Sequence, residues 1–136
     1  MVDYQKISEK TVKYIYTAHA SLSESPLNPQ LRVLVELRAS QINGCAYCCL
    51  IHSDEARKLG IEQKKLDQLP AWTEATCFDS KEKLALTWCE TVTLLRSDKQ
   101  KIRTQLSDFF SAREIVDLTL SISLMNALNR IAVSLM

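Results

Sequence analysis

The sequence predicts an all-α fold: a single-domain helical bundle of six to seven helices spanning residues 1–136. Three observations carry that expectation. Glycine and proline are scarce, Gly 2 and Pro 3 in the whole chain, so the turn residues that a sandwich or barrel needs are missing. Apolar residues recur at helical spacing in several segments. Helix-start signatures precede such segments, namely Ser111-x-x-Glu114 and a cap at Asp79 or Ser80 followed by Glu82. A chain of 136 residues is long enough for one core of its own.

Composition narrows the function classes. The net charge is +1, with both signs spread along the chain, so neither a nucleic-acid nor a membrane-surface partner is expected. The opening MVDYQKISEK carries charge from its third residue and has no apolar run, so no signal peptide is expected. The most apolar segment, 115–135, is interrupted by Asp117, Asn126, Asn129 and Arg130, which fits a buried core helix better than a membrane span. Five cysteines without a secretion signal point to a reducing cytoplasm rather than a disulfide scaffold.

Taken in order, residues 4–20 place Ile7, Val12, Ile15 and Ala18 at loosely helical spacing, and the loop 21–29 ends that helix. His19 near its end has no cysteine or carboxylate at ligand spacing, so it is expected on the surface or in packing. Pro29 opens a second helix that runs to about Ile42, since proline suits a first turn. Its Leu31, Val33, Leu34, Val35 and Leu37 cover more than half the circumference, which predicts burial on several sides. Glu36 falls inside that run. Two readings fit it: an i, i+4 ion pair with Arg32 on a solvated strip, or a carboxylate aimed at the cysteines that follow.

Asn43-Gly44 is a turn, with Gly44 suited to the left-handed position after a helix; a third helix starts directly after it and stops at Gly60. Tyr47 and Ile51 on that helix are expected to pack. A short helix over 62–69 precedes Pro70. The next carries the stripe Leu84, Trp88, Val92 and Leu95, with Cys89 beside it and Cys77 ahead of it as packing thiols. A further short helix covers 98–106. The last long helix turns Ile115, Leu118, Ile122, Met125, Leu128 and Ala132 inward. Its Asn126, Asn129 and Arg130 are expected to make interhelical or intersubunit hydrogen bonds.

The chemistry concentrates in 36–52, ELRASQINGCAYCCLIH, which holds three of the five cysteines and one of the two histidines. On a helix Cys45, Cys48 and His52 lie along one stripe. Two thiols able to form a disulfide, with an imidazole one turn away, make a redox or thiol-chemistry site. Cys49 is expected as a buried neighbour that could compete to form the disulfide. A metal site built from Cys45, Cys48, Cys49 and His52 is the less favoured arrangement, because one helix presents ligands in a line rather than a tetrahedron. No metal and no cofactor are therefore expected.

These residues resemble a known family. ELRASQINGCAYCCLIHSDEARKLG, LPAWTEATCFDSKEKLALTWCETVT and the closing NALNRIAV are similar to the carboxymuconolactone decarboxylase-like superfamily, and more narrowly to its alkylhydroperoxidase AhpD-like members, over about residues 27–133. The resemblance implies an all-helical homo-oligomer, a trimer or hexamer, that reduces organic hydroperoxides. It implies that Cys48 attacks the peroxide, Cys45 resolves the product as a disulfide, and His52 acts as base or proton relay. A dithiol reductant protein or small thiol would then restore the pair. The decarboxylase branch lacks the cysteine pair, so its lactone chemistry is not implied. Two departures stand out. The family's relay glutamate is twelve residues before the first cysteine, where this chain has Val33; Glu36, about one turn later, is the candidate in its place. Ala46 and Tyr47 stand where the family has a second histidine.

Physical chemistry weighs on the same choice. A helix N-terminus favours a thiolate at Cys45, whereas His52 at i+4 favours Cys48. A base accepts the proton, while the dipole only biases its loss, so Cys48 is the expected nucleophile. The candidate catalytic residues are thus Cys48, Cys45, His52 and Glu36. The alternative is a non-catalytic oligomeric redox-sensing or binding protein of the same fold. Trp72, Phe78 and Trp88 are candidate walls for an apolar pocket near a subunit boundary.

Overall fold

A computed structural model describes all 136 residues. The chain forms eight α-helices and no strand: α1 (Tyr4–Ile7), α2 (Glu9–Ser21), α3 (Pro29–Ile42), α4 (Ala46–Lys58), α5 (Gln63–Gln68), α6 (Ser80–Thr93), α7 (Lys99–Leu106) and α8 (Ala112–Leu135). The first expected helix is therefore two, broken at Ser8, whose backbone leaves the helical region at φ −124° and ψ 47°. Neither α1 nor α2 buries a residue, and Ile7 of the expected stripe is 73% exposed. The two helices lie on the outside of the bundle, with α2 against α8 and the Val2 amide donating to the Leu135 carbonyl at 2.9 Å.

Local chemistry sets the remaining ends. The Asn28 side chain accepts from the amides of Gln30 and Leu31, and Pro29 occupies the first turn of α3 where a missing N–H costs nothing. Gly44 at φ +67° and Gly60 at φ +86° take the left-handed positions that follow α3 and α4. Asp79 with Glu82 and Ser111 with Glu114 both close reciprocal capping boxes on α6 and α8.

α3 is the centre of the bundle, packed by α4, α6 and α8, which is why its apolar residues run around most of its surface. One contiguous core joins it to Leu86 of α6, Leu106 of α7 and Leu118, Ile122 and Met125 of α8. The stripe on α6 ends sooner than the spacing suggests. The helix stops at Thr93, and Leu95 beyond it is 86% exposed in the left-handed region at φ 53°. α8 is long and apolar enough by composition to cross a membrane, with mean hydropathy 1.3, yet its inward residues are part of the bundle core.

The asparagines of α8 bind across the bundle. Asn43 Nδ2 donates to Asn126 Oδ1 at 2.9 Å and to Asn129 Oδ1 at 3.0 Å. Asn129 Nδ2 donates to Ser40 Oγ at 3.0 Å, and Asn126 Nδ2 to Thr93 Oγ1 at 2.9 Å. Arg130 only returns to its own helix, at the Asn126 carbonyl and side chain. Each amide group buried along α3 and α8 thereby has a partner.

A second polar knot surrounds Glu90 of α6. Its Oε1 accepts from Arg38 Nη2 at 2.8 Å and from Trp72 Nε1 at 3.0 Å, and Arg96 lies 3.4 Å from Oε2. Burial works to raise its pKa, but the donors Trp72 and Arg38 and the charges of Arg38 and Arg96 outweigh it and hold it below the usual glutamate value. A lowered folded-state pKa contributes stability above the unfolded value of about 4.3, lost as pH falls through the folded one. Urea unfolding at pH 7 and under acid conditions should therefore show a smaller loss on acidification for Glu90→Gln than for the unsubstituted protein. At pH 7 the same variant should be less stable by about 2 kcal/mol, because a charged acceptor of three donors becomes neutral.

Candidate functional site

The turn at Gly44 delivers Cys45 to the N-cap of α4, where its sulfur accepts from the Cys48 amide at 3.3 Å. Three residues later Cys48 points the same way, and the two form a disulfide with their Cα atoms 5.2 Å apart. Ala132 of α8 packs against the pair; its small side chain leaves room for the two sulfurs beside that helix. Cys48 borders a cavity of about 220 Å³ and Cys45 does not. His52, one turn beyond Cys48, borders the same cavity.

The walls of that cavity are not those expected from the sequence. Trp72, Phe78 and Trp88 are all in the main core. The cavity is lined instead by the rings of Tyr4, Tyr16 and Tyr47 and by Ile51, Met125 and Leu128. Tyr47 and Ile51, expected to pack, are about half exposed, because the face of α4 that carries them opens on this space.

Behind the cavity lies Glu36, with no exposed surface. Its Oε1 receives a hydrogen bond from Ser121 Oγ at 2.8 Å and lies 2.9 Å from His19 Nε2 and 3.5 Å from Arg32 Nη1. Its Oε2 has no hydrogen-bond partner and faces His52 Nδ1 at 3.7 Å. The ion pair with Arg32 is present, but the strip is not solvated, and the same carboxylate is aimed at the cysteine–histidine stripe. Both readings of Glu36 thus meet in one side chain. Val33, at the family's relay position, is buried in the core.

His52 Nδ1 also lies 3.2 Å from Glu55 Oε2. That hydrogen bond lowers the Glu55 pKa, against a smaller opposing effect of burial. With Nδ1 between two carboxylates, Nε2 is the ring nitrogen left free to take a proton. His19, expected on the surface or in packing, is partly buried and also bonds Glu36, a contact that spacing did not reveal. Its ring stands edge-on to His52 with centroids 6.5 Å apart, and its hydrogen bond to Glu36 raises its pKa, with burial opposing. Sequence spacing missed His19 because α2 meets α3 only through the fold. Glu55 was findable as the carboxylate at i+3 from His52.

The other thiols differ sharply. Cys89 has no exposed surface, donates to the Val35 carbonyl, and is pushed up to about 12 by burial. Burial also raises the Cys49 pKa, and this residue packs against the main core rather than toward the pair. The ligand set Cys45, Cys48, Cys49 and His52 is therefore not assembled. Glu36, His52 and Glu55 do bring three ligand atoms within 4.8 Å of one another. A cation there would meet Arg32 and a protonated His19 on the far oxygen of Glu36, so this charge pattern suits a proton better than a metal.

A helical bundle with a CxxC disulfide at the start of one helix, opening on an apolar cavity backed by a histidine and carboxylates, defines an AhpD-like protein. Comparison with known proteins agrees. The sequence pattern of the carboxymuconolactone decarboxylase family matches residues 10–91. The uncharacterised protein YdfG of Bacillus subtilis (strain 168) is 31% identical, covering 98% of this chain and 92% of its own. The uncharacterised YnjA of Escherichia coli (strain K12) is 31% identical over 75% of this chain and 57% of its own. The crystal structure of a protein of unknown function from Agrobacterium tumefaciens, described provisionally as an antioxidant defence protein AhpD, superposes with a TM-score of 0.93 at 31% identity, covering 98% of this chain and 93% of its own. An uncharacterised peroxidase-related protein from Silicibacter sp. TM1040 shares the fold, with a TM-score of 0.82 at 23% identity over 90% of this chain and 66% of its own. This chain belongs to the carboxymuconolactone decarboxylase family.

The thiol environments predict an order of reactivity in the reduced protein. Brief iodoacetamide treatment near neutral pH, read by peptide mass mapping, should label Cys48 first, Cys49 slowly, and Cys89 only after denaturation.

Proposed function

We propose that the protein is a thiol-dependent peroxidase that reduces organic hydroperoxides through a Cys45–Cys48 dithiol–disulfide cycle. One observation carries this reading. Of the two bonded cysteines only Cys48 borders the cavity, and it shares that cavity with His52. A nucleophile needs both access to substrate and a base within reach.

The chemistry balances with the residues present. His52 takes the Cys48 proton, and the thiolate attacks one peroxide oxygen. The O–O bond breaks, the alkoxide leaves and takes the proton as an alcohol, and Cys48 becomes a sulfenic acid. Cys45 then attacks the Cys48 sulfur, water departs, and the disulfide forms. Two thiols and one hydroperoxide thus yield a disulfide, an alcohol and water. A dithiol protein or small thiol returns two electrons by exchange. Glu36 serves as the relay carboxylate through its charge, facing His52 Nδ1 from 3.7 Å, while Glu55 makes the direct contact at 3.2 Å. The mostly apolar walls support an organic rather than an inorganic hydroperoxide as substrate.

Assembly into a homo-oligomer, a trimer or hexamer, is part of the same proposal, with exposed Ile7, Tyr14, Leu50 and Val133 as candidate contacts. A reducing cytoplasm would supply the electrons the cycle consumes.

The test is intact-mass analysis of pre-reduced proteins after one equivalent of an organic hydroperoxide. The unsubstituted protein should lose the mass of two hydrogens, Cys45→Ser should gain one oxygen, and Cys48→Ser should do neither. If all three remain reduced, the peroxidase reading fails.

A further inference from the structure

His19 belongs to no part of the cysteine motif, yet it is bonded to the buried carboxylate behind it. We propose that His19 is a positioning residue for the chemistry of Cys48: it fixes the rotation of the Glu36 carboxylate and, by gaining or losing a proton, sets how much negative charge Glu36 presents to His52. The inference rests on the Cys48–His52 reading of the site and adds to it a second histidine on a different helix.

The geometry separates the two oxygens of Glu36. Oε1 takes His19 and Ser121 at 2.9 and 2.8 Å, while Oε2 is left without a hydrogen bond and turned to His52 Nδ1. Two partners on one oxygen prevent the carboxylate from rotating and fix which oxygen His52 meets. Of those two, Ser121 is neutral and fully buried on α8, whereas the His19 side chain keeps 20% of its surface exposed. Only His19 can both ionise and exchange its proton with water.

Every charged group facing His19 belongs to the same cluster. Glu36 and Arg32 come from α3, and His52 and Glu55 from α4, while α8 contributes the uncharged Ser121 hydroxyl. The hydrogen bond to Glu36 raises the His19 pKa, so the cation persists further up the pH scale than a free histidine would. While protonated, His19 draws the charge of Glu36 toward itself. Once it is neutral, more of that charge acts on His52, which becomes the stronger base for Cys48. Cys48 reactivity should therefore rise with pH through two ionisations rather than one.

The experiment uses the full chain carrying Cys45→Ser, so that Cys48 remains a free thiol, with His19 kept, changed to Gln, or changed to Ala. Its rate is followed from about pH 5 to 9, a range that brackets a histidine ionisation, with iodoacetamide and separately with cumene hydroperoxide. His19→Ala should slow both reactions at least tenfold, a modest share of the roughly 10²–10⁴ that a positioned base supplies. His19→Gln, which keeps a donor for Glu36 but cannot ionise, should recover most of that rate while its profile loses one ionisation. Unchanged rate and profile in His19→Ala overturn the proposal, as does a His19→Gln profile that retains both ionisations. The two reagents keep the readings apart. The predicted pattern with iodoacetamide but no reaction with the hydroperoxide leaves the positioning role standing and removes the peroxidase. Equal hydroperoxide rates in all three proteins do the reverse. Circular dichroism and urea unfolding check that each variant keeps the fold, since His19 partners the buried Glu36.

Discussion

The burial of one carboxylate organises this molecule. Glu36 is enclosed in the most apolar stretch of α3, where an unpaired ionised group would cost several kcal/mol. Three other helices meet that cost: α2 brings His19, α4 brings His52 and α8 brings Ser121, while Arg32 comes from one turn earlier on α3 itself. Shifting any of these helices along α3 would leave a buried charge unpaired. The same requirement that fixes the packing also gathers two histidines behind the cysteines. Stability and site share one set of contacts.

The ridge of α3 that carries Glu36 continues as Ser40 and Asn43, one and two turns on. Ser40 donates to the Glu36 carbonyl and accepts from Asn129, and Asn43 reaches both asparagines of α8. These bonds are directional and cannot slide by a residue without leaving amides unsatisfied. They hold α8 in the register that sets Ala132 against the disulfide and Met125 and Leu128 along the cavity. The polar seam is thus a gauge for the apolar wall.

The five cysteines occupy three kinds of surroundings, with Cys77, like Cys49, half-buried against the core. Cys89 is sealed in the core and its thiol is pushed far above physiological pH. Cys49, next to the nucleophile in sequence, turns into the core because a one-residue step rotates about 100° around a helix. Only Cys45 and Cys48 meet, at the start of α4, and of the two only Cys48 borders the cavity shared with His52. Neighbourhood, not residue type, separates redox thiol from packing thiol. The N-terminal helices finish the arrangement from outside, supplying Tyr4, Tyr16 and His19 although they bury nothing of their own.

Much of this was legible in the sequence, because it depends on neighbours within a turn or two. Pro29, Gly44, Gly60 and the capping boxes at Asp79 and Ser111 mark helix ends by local hydrogen bonding. The stripe of Cys45, Cys48 and His52 follows from 3.6 residues per turn. Other features were decided only in three dimensions. The break at Ser8, the exposure of Leu95, the tyrosine walls and the core placement of Trp72, Phe78 and Trp88 depend on which face another helix covers. Glu36 shows the division within one residue. Its pairing with Arg32 was readable at i+4, but its bonds to His19 and Ser121 span 17 and 85 residues. Periodicity carries no information over such separations. A buried carboxylate must find partners, and packing alone chooses them.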